Sequence, residues 1–268
     1  MKAAQFRYER PARLDEAIAL MAGEDVAALA GGQSLMPMMN FRLAQPEVLV
    51  DLNGLDELRG IADQGSQIRI GAMTRYAELA QLDGLATRLP LVAAALPHVA
   101  HAAIRNRGTL GGSVALADPA AEMPAVLLAL SAVIHVAGAE GARDIAADAF
   151  FHGLYETALE PGELVTAITL PTAGPEDRYG FREVARRHGD YAMAGVAIAG
   201  ARIAFFAVAD RPIRALAAEA CLAEDPTALD AAVDALAEIP FAGDLNASEA
   251  TKRHLAGVML RRAWGDTQ

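Results

Sequence analysis

Two glycine-centred segments set the terms for any fold this chain adopts: Leu29-Ala-Gly-Gly-Gln-Ser34 and Gly108-Thr-Leu-Gly-Gly-Ser113. Each follows an apolar or helical run, and each joins adjacent glycines to a small hydroxyl side chain. Glycine lets a backbone approach a ligand closely and adopt φ > 0, so consecutive N–H groups can converge on phosphate oxygens. Ser34, Thr109 and Ser113 add hydroxyl donors. A lone Gly-Gly pair marks no more than a turn. Two such segments with matching chemistry predict a ligand with two phosphates, held from both sides.

The rest of the composition narrows the class. A chain of 268 residues builds one large domain or two modest ones, and 53% hydrophobic residues exclude disorder. The net charge of −11, from 23 Lys and Arg against 34 Asp and Glu, argues against nucleic acid as a partner. Cys221 is the single cysteine, which excludes an intrachain disulfide. It also excludes a [2Fe–2S] cluster held by this chain alone, since such a cluster takes about four protein ligands. The start, Met1 to Arg10, is charged and lacks the apolar core of a secretory signal. The longest apolar stretch, Met123 to Ala137, carries Pro124 and His135 and falls short of the ~20 residues a membrane helix needs. A cytoplasmic chain with no transmembrane segment is expected.

Periodicity predicts a helix over Leu14–Met21 and strands over Val26–Leu29, Glu47–Leu52 and Gln67–Ala72. Thr74 is the expected N-cap of a helix over Tyr76–Leu82, and Pro97 the expected break in a helical run from Pro90 to His101. After the second glycine segment come Asp118-Pro-Ala-Ala-Glu-Met-Pro124, an aliphatic helix or strand, and strands at Ile134–Ala137 and Leu164–Leu170. Pro171-Thr-Ala-Gly-Pro-Glu-Asp177 is rich in turn formers and marks a boundary. Beyond it lie a strand near Phe181, helical patterns over Arg214–Leu222 and Pro226–Leu236, and a last helix from Ser248, its N-cap, to Trp264.

Several familiar sites are missing. No G-x-G-x-x-G follows a strand, no G-x-x-x-x-G-K-[ST] occurs, and no G-x-S-x-G elbow is present. His98 and His101 share a helical spacing of three, which fits a helix face better than a metal site.

Four separated segments carry a resemblance: Ala30-Gly-Gly-Gln-Ser-Leu-Met-Pro37, Ile104-Arg-Asn-Arg-Gly-Thr-Leu-Gly-Gly-Ser113, Ala117-Asp-Pro-Ala-Ala-Glu122 and Phe181-Arg-Glu-Val-Ala-Arg-Arg-His-Gly-Asp-Tyr-Ala192. In that order they resemble the FAD-binding medium subunits of molybdenum-containing hydroxylases. That group includes aerobic carbon monoxide dehydrogenase and bacterial relatives of xanthine dehydrogenase. The resemblance implies an α+β fold: a two-lobed FAD-binding domain of the PCMH type over 1–172 (lobes about 1–55 and 56–172), then a smaller α+β C-terminal domain over 173–268.

It also implies roles. Ala30, Gly31, Gly32, Gln33, Ser34, Leu35 and Met36, with Thr109, Gly111, Gly112 and Ser113, would wrap the FAD diphosphate and ribityl region. Glu122 would accept from ribityl or ribose hydroxyls, or else stand as an acid at a helix N-terminus. Asp118 would join the site, although Asp-Pro also starts a turn by itself. Ala100 would pass close to the cofactor, and Leu159 would pack on the flavin or its adenine end. Arg182 would donate to the flavin pyrimidine edge, or pair with Glu183 or Asp190. Tyr191 would lie near the flavin ring, or in the core. Arg105 and Arg107 are phosphate ligands or loop braces.

On this resemblance no residue is catalytic and no metal is held by this chain. FAD would be bound non-covalently, since Gln33 stands where covalent flavoproteins carry a histidine. Electrons would arrive from the two [2Fe–2S] clusters of a small partner, and a large partner would hold the molybdenum cofactor, in a dimer of heterotrimers. An external acceptor would take the electrons. The rival readings are a free-standing FAD-dependent oxidoreductase of the same fold and a non-catalytic nucleotide-binding scaffold. Three departures stand out: Leu29 where relatives carry Lys or Arg, a shortened connection between Ala199 and Arg202, and Phe205-Phe206 in place of small residues.

Overall fold

The computed structural model describes residues 2–175 and 177–267. Strands β1 (Arg7–Glu9), β2 (Val26–Leu29) and β3 (Val48–Asp51) form a parallel sheet in the order β1-β3-β2. Parallel neighbours need crossovers, which here include the helices Leu14–Met21 and Leu35–Asn40. The core under this sheet joins Ala17, Val50, Leu52 and Leu55 to Leu58, Met73 and Leu164 from further along the chain. The first lobe therefore does not complete its interior from its own residues.

The second sheet is antiparallel. It contains β4 (Ile61–Asp63), β5 (Gln67–Gly71), β6 (Val133–Gly138) and β7 (Gly141–Ala146). A small hairpin, β8 (Phe151–Gly153) and β9 (Glu156–Thr157), precedes β10 (Leu164–Pro171), and the sheet order is β4-β5-β10-β6-β7. Ile68 and Ile70 of β5 turn inward while Gln67 and Arg69 turn outward, the period-two pattern of a half-buried strand. The aliphatic run after Glu122 divides in two. Glu122–Ala129 is a helix buried at every position, and β6 follows after a turn at Ser131.

The third sheet, β11 (Tyr179–Ala185), β12 (Ala192–Ala199), β13 (Arg202–Phe206) and β14 (Ile213–Arg214), is antiparallel in chain order. One face gives Phe181, Ala197 and Phe206 to the large core shared with the second sheet. The other packs Val196, Ile198, Ile203 and Phe205 against the helices Leu216–Glu224, Leu229–Ala235 and Glu249–Asp266. Ser248 Oγ accepts from Thr251 N–H at 3.2 Å and caps the last of these. The shortened connection after Ala199 is a tight hairpin, with Gly200 at φ 56° and Ala199 paired to Arg202. Gly195 faces Phe206 across the β12–β13 ladder and leaves room for its ring, which stacks on Phe181 at 5.8 Å.

Three local expectations change. Thr74 is not an N-cap: its hydroxyl donates to Gly60 O at 3.1 Å, and the helix Tyr76–Leu79 begins after Arg75, whose N–H donates to Glu78 Oε2 at 2.8 Å. The helix from Pro90 ends at Ala95, just before Pro97 as steric clash requires. Arg214 belongs to β14, so the helix that follows starts at Leu216. Among the described residues no helix is long and apolar enough to cross a membrane.

Candidate functional site

A cavity of about 730 Å³ opens where the three sheets approach one another, within the ~300–1,000 Å³ typical of ligand sites. Its first wall is the turn between β2 and the helix Leu35–Asn40, where Ala30, Gly31, Gly32, Gln33, Ser34 and Leu35 all line the space. Among the described residues, the backbone N–H groups of Gly31, Gly32, Gln33 and Ser34 donate to no protein acceptor. Four consecutive donors beside a cavity are thus left for an acceptor that the chain itself does not supply. Local bonds hold the turn in shape. Gln33 Nε2 donates to Gly31 O at 3.0 Å, and Asn53 Nδ2 donates to Ala30 O at 2.8 Å while also reaching Asp51 Oδ1 at 2.7 Å. Gly32 sits at φ 72°.

The second glycine segment is built differently from the expectation. It is not a loop but the first turn of a helix, Leu110–Leu116, with Thr109 as N-cap. Its amides are already engaged. Leu110 N–H donates to Thr74 O at 3.1 Å, Gly111 N–H to Ala72 O at 2.9 Å, and Gly112 N–H to Thr109 Oγ1 at 3.2 Å. The glycines here serve packing. A Cβ on Gly111 would lie 2.7 Å from Ala72 Cα, and one on Gly31 would lie 2.8 Å from Gly108 Cα. The two glycine motifs thus lie against each other, and the second offers the cavity its Thr109 and Ser113 hydroxyls in place of a row of amides.

The cavity is also lined by Asp118 and Glu122, each more than nine-tenths buried. Asp118 Oδ1 accepts from Ala120 N–H at 2.9 Å, the turn chemistry of an Asp-Pro pair. Glu122 is the first residue of its helix and also lines the cavity. Burial, with the neighbouring Glu183 and Asp118 carboxylates, pushes its carboxyl up to about 7, against the opposing pull of its own backbone amide and His98.

The remaining wall comes from Ala100, at φ 45°, and from the turn carrying Arg186, Gly189, Asp190 and Tyr191. A Cβ on Gly189 would lie 2.9 Å from Ala100 O, so the turn sits directly on that segment. Tyr191 is 64% exposed and lies beside Asp118, which removes the core reading for it. Arg105 Nη1 donates to Val99 O at 2.8 Å and Ala100 O at 2.7 Å, the geometry of a loop brace.

Three anticipated residues lie off the cavity wall. Met36 packs back toward Gly32 from the helix Leu35–Asn40. Leu159 is half-buried against the large core. Arg182 pairs with Asp266 at 2.8 Å, and neither Glu183 nor Asp190 is its partner. His98 and His101 do not converge on a metal: His98 Nδ1 lies 2.9 Å from Glu183 Oε1, while His101 lines the cavity. No group of three potential metal ligands occurs among the described residues. The wall also includes Tyr76, Arg186 and Asn246, and Asn53 braces it from behind. Asn246 and Asn53 are polar residues of the kind that fill ordinary turns, with no local pattern to single them out.

Comparison with known proteins agrees with this geometry along the chain. A family model described as the FAD binding domain in molybdopterin dehydrogenase matches residues 4–173, and one described as the CO dehydrogenase flavoprotein C-terminal domain matches residues 179–267. The carbon monoxide dehydrogenase medium chain of Afipia carboxidovorans is 42% identical over 96% of this chain and 95% of its own. The caffeine dehydrogenase subunit beta of a Pseudomonas species is 38% identical over 87% of this chain and 83% of its own. Carbon monoxide dehydrogenase from Hydrogenophaga pseudoflava, solved in a form lacking the Mo-pyranopterin moiety, superposes with a TM-score of 0.96 at 39% identity, over 100% of this chain and 98% of that one. The chain belongs to the family of FAD-binding domains of molybdopterin dehydrogenases, with the C-terminal domain of a CO dehydrogenase flavoprotein, and so to the medium subunits of oxidoreductase complexes.

Proposed function

We propose that this chain binds FAD non-covalently and acts as the electron-transfer subunit of a cytoplasmic molybdenum hydroxylase. A small subunit with [2Fe–2S] clusters and a large subunit with the molybdenum cofactor are its partners, in a dimer of heterotrimers. The observation that carries this reading is the row of unpaired N–H groups at Gly31–Ser34. A diphosphate brings the acceptor oxygens that the row lacks, and Thr109 and Ser113 of the adjoining motif line the same cavity. Glu122, half-ionised near neutral pH, serves the ribityl or ribose hydroxyls as acceptor and, when protonated, as donor. Gln33 presents an amide with no nucleophile for a covalent flavin link. The division into a flavin-holding part (1–172) and a C-terminal part (173–268) belongs to the same proposal.

Bound FAD supplies a carrier that takes up and releases electrons one or two at a time. The chain's own work is to bind, orient and shield it. Cys221 is alone in the sequence, so a cluster that feeds the site must sit on another polypeptide. Arg186 and Tyr191 line the cavity from the C-terminal part, and on this reading an external acceptor approaches the flavin past them. Relatives are named for carbon monoxide and caffeine, so the choice of substrate is assigned to the large subunit.

The test is anaerobic bleaching of the flavin absorbance by candidate substrates, with and without the two partners. Bleaching only in the assembled complex is expected. Rapid bleaching of the lone chain by such a substrate would overturn the relay and favour a free-standing flavoenzyme.

A further inference from the structure

Lys252 lies on the helix Glu249–Asp266 and is only 4% exposed. Removing an ammonium group from water is costly unless a carboxylate answers it. Asp244 does so, with its Oδ2 2.8 Å from Lys252 Nζ. The other oxygen of Asp244 serves its own loop: Oδ1 accepts from Asn246 N–H at 2.7 Å and from Ala247 N–H at 3.0 Å. Asp244 N–H in turn donates to Ala247 O at 2.9 Å. The loop is also anchored at both ends. Phe241 and Ala247 are buried, Ala242 N–H donates to Val208 O at 2.9 Å, and the Ser248 cap fixes the start of the helix.

Between these anchors the chain delivers one residue to the cavity. Asn246 is part of the wall, whereas Asp244 and Lys252 are not. Asn246 is exposed, and among the described residues its side-chain amide makes no hydrogen bond to the chain. An amide carries donors and an acceptor side by side and no charge. It matches a ring edge that shows the complementary pair, as adenine and the flavin pyrimidine do, and asparagine pairs in two-point fashion with adenine in nucleic acids. A phosphate suits this position poorly. The Asp244 carboxylate is bound to the backbone of Asn246 itself, and the unpaired amides of Gly31–Ser34 already offer a place for phosphate.

We propose that Asn246 binds the heteroaromatic edge of the cavity's ligand, and that Lys252, through Asp244, is the positioning residue that holds the Asn246 loop in place. The inference rests on the FAD reading above and adds to it a donor–acceptor contact from the C-terminal part.

The test titrates FAD into the flavin-stripped full-length chain, reading the dissociation constant by fluorescence and the flavin-free melting temperature separately. Asn246→Ala is expected to weaken binding about fivefold, the worth of one hydrogen bond, with an unchanged flavin-free melting temperature because the residue is exposed. Lys252→Met is expected to weaken FAD binding as well, and that loss should vanish in the Asn246→Ala background, since the lysine acts only through the loop. Competition by ADP locates the contact: weaker ADP binding in Asn246→Ala puts it on the adenine, and unchanged ADP binding puts it on the isoalloxazine. Unchanged FAD affinity in Asn246→Ala overturns the proposal, as does a fall in its flavin-free melting temperature. A Lys252→Met loss that persists in the Asn246→Ala background, or no loss at all, overturns the positioning role. A wild-type chain that takes up no FAD overturns the parent reading instead, so the two failures are distinguishable.

Discussion

Gly31 and Gly32 are adjacent, yet the structure gives them different constraints. A Cβ on Gly31 would collide with the backbone of Arg107 and Gly108, neither of which can yield. A Cβ on Gly32 would meet only flexible ends, Leu29 Cδ1 and Met36 Cγ at 3.2 Å, and its cost is the positive φ. Gly31→Ala is therefore expected to lose about 1–3 kcal/mol of stability and most of its flavin, and Gly32→Ala about 1 kcal/mol with partial retention. The ratio of flavin to protein absorbance, with a melting curve for each, checks the order. Glu122 carries a second prediction at this scale. Its folded carboxyl titrates near 7, above its ordinary 4.5, so between those values the folded state holds more protons than the unfolded one. Stability from this group is thus present at low pH and declines as pH rises through 7. His98, raised by Glu183, works in the same direction. Flavin-free protein should lose on the order of 2–3 kcal/mol from this carboxyl between pH 5 and 8, and Glu122→Gln should flatten most of that slope in denaturant titrations.

Elements of this chain were legible wherever one face was apolar and the run was uninterrupted. Val26–Leu29 and Leu14–Met21 are strand and helix with the bounds that periodicity predicts. Strand β7 was not: it is exposed at every position but Ile145 and carries no alternation to read. The second glycine motif reads as a loop because Gly-Gly disfavours helix. Tertiary packing overrides that preference, since Gly111 lies against Ala72 where no side chain fits. The candidate site divides along the same line. The first motif stood out from its residues and does line the cavity, whereas Tyr76 and Asn246 reach it only through contacts distant in sequence. The Phe206 departure also finds its reason here, since Gly195 opposite it provides the room. Gly195→Ala is expected to cost about 1–3 kcal/mol by overpacking, and Phe206→Leu in the same chain to recover part of it. Chemical denaturation of the two single variants and the double variant measures that coupling.

At the scale of the molecule, the cavity is a seam. Gly31–Ser34 belongs to the first sheet's lobe, Ser113 and Glu122 to the middle, and Arg186, Tyr191 and Asn246 to the C-terminal part. Arg202 ties the last two together independently of any ligand, donating to Leu128 O at 2.8 Å and pairing with Asp148 at 2.7 Å. FAD in hundredfold excess over its dissociation constant should add about 2.7 kcal/mol. That corresponds to roughly 5–10 °C in melting temperature for a chain of this size. Because all three parts share the ligand, the shift should appear in one transition; calorimetry that moves one of two resolved transitions would contradict the shared wall.

The seating of Gly189 on Ala100 has a kinetic consequence. The turn from Arg186 to Tyr191 closes one side of the cavity through that contact, while the unpaired amides of Gly31–Ser34, the proposed phosphate donors, come from a different part of the chain. How tightly an occupant is held and how quickly it is exchanged are therefore governed by different parts of the chain. Loosening the turn changes entry and escape together and leaves their ratio nearly intact, whereas altering the amide row changes escape alone.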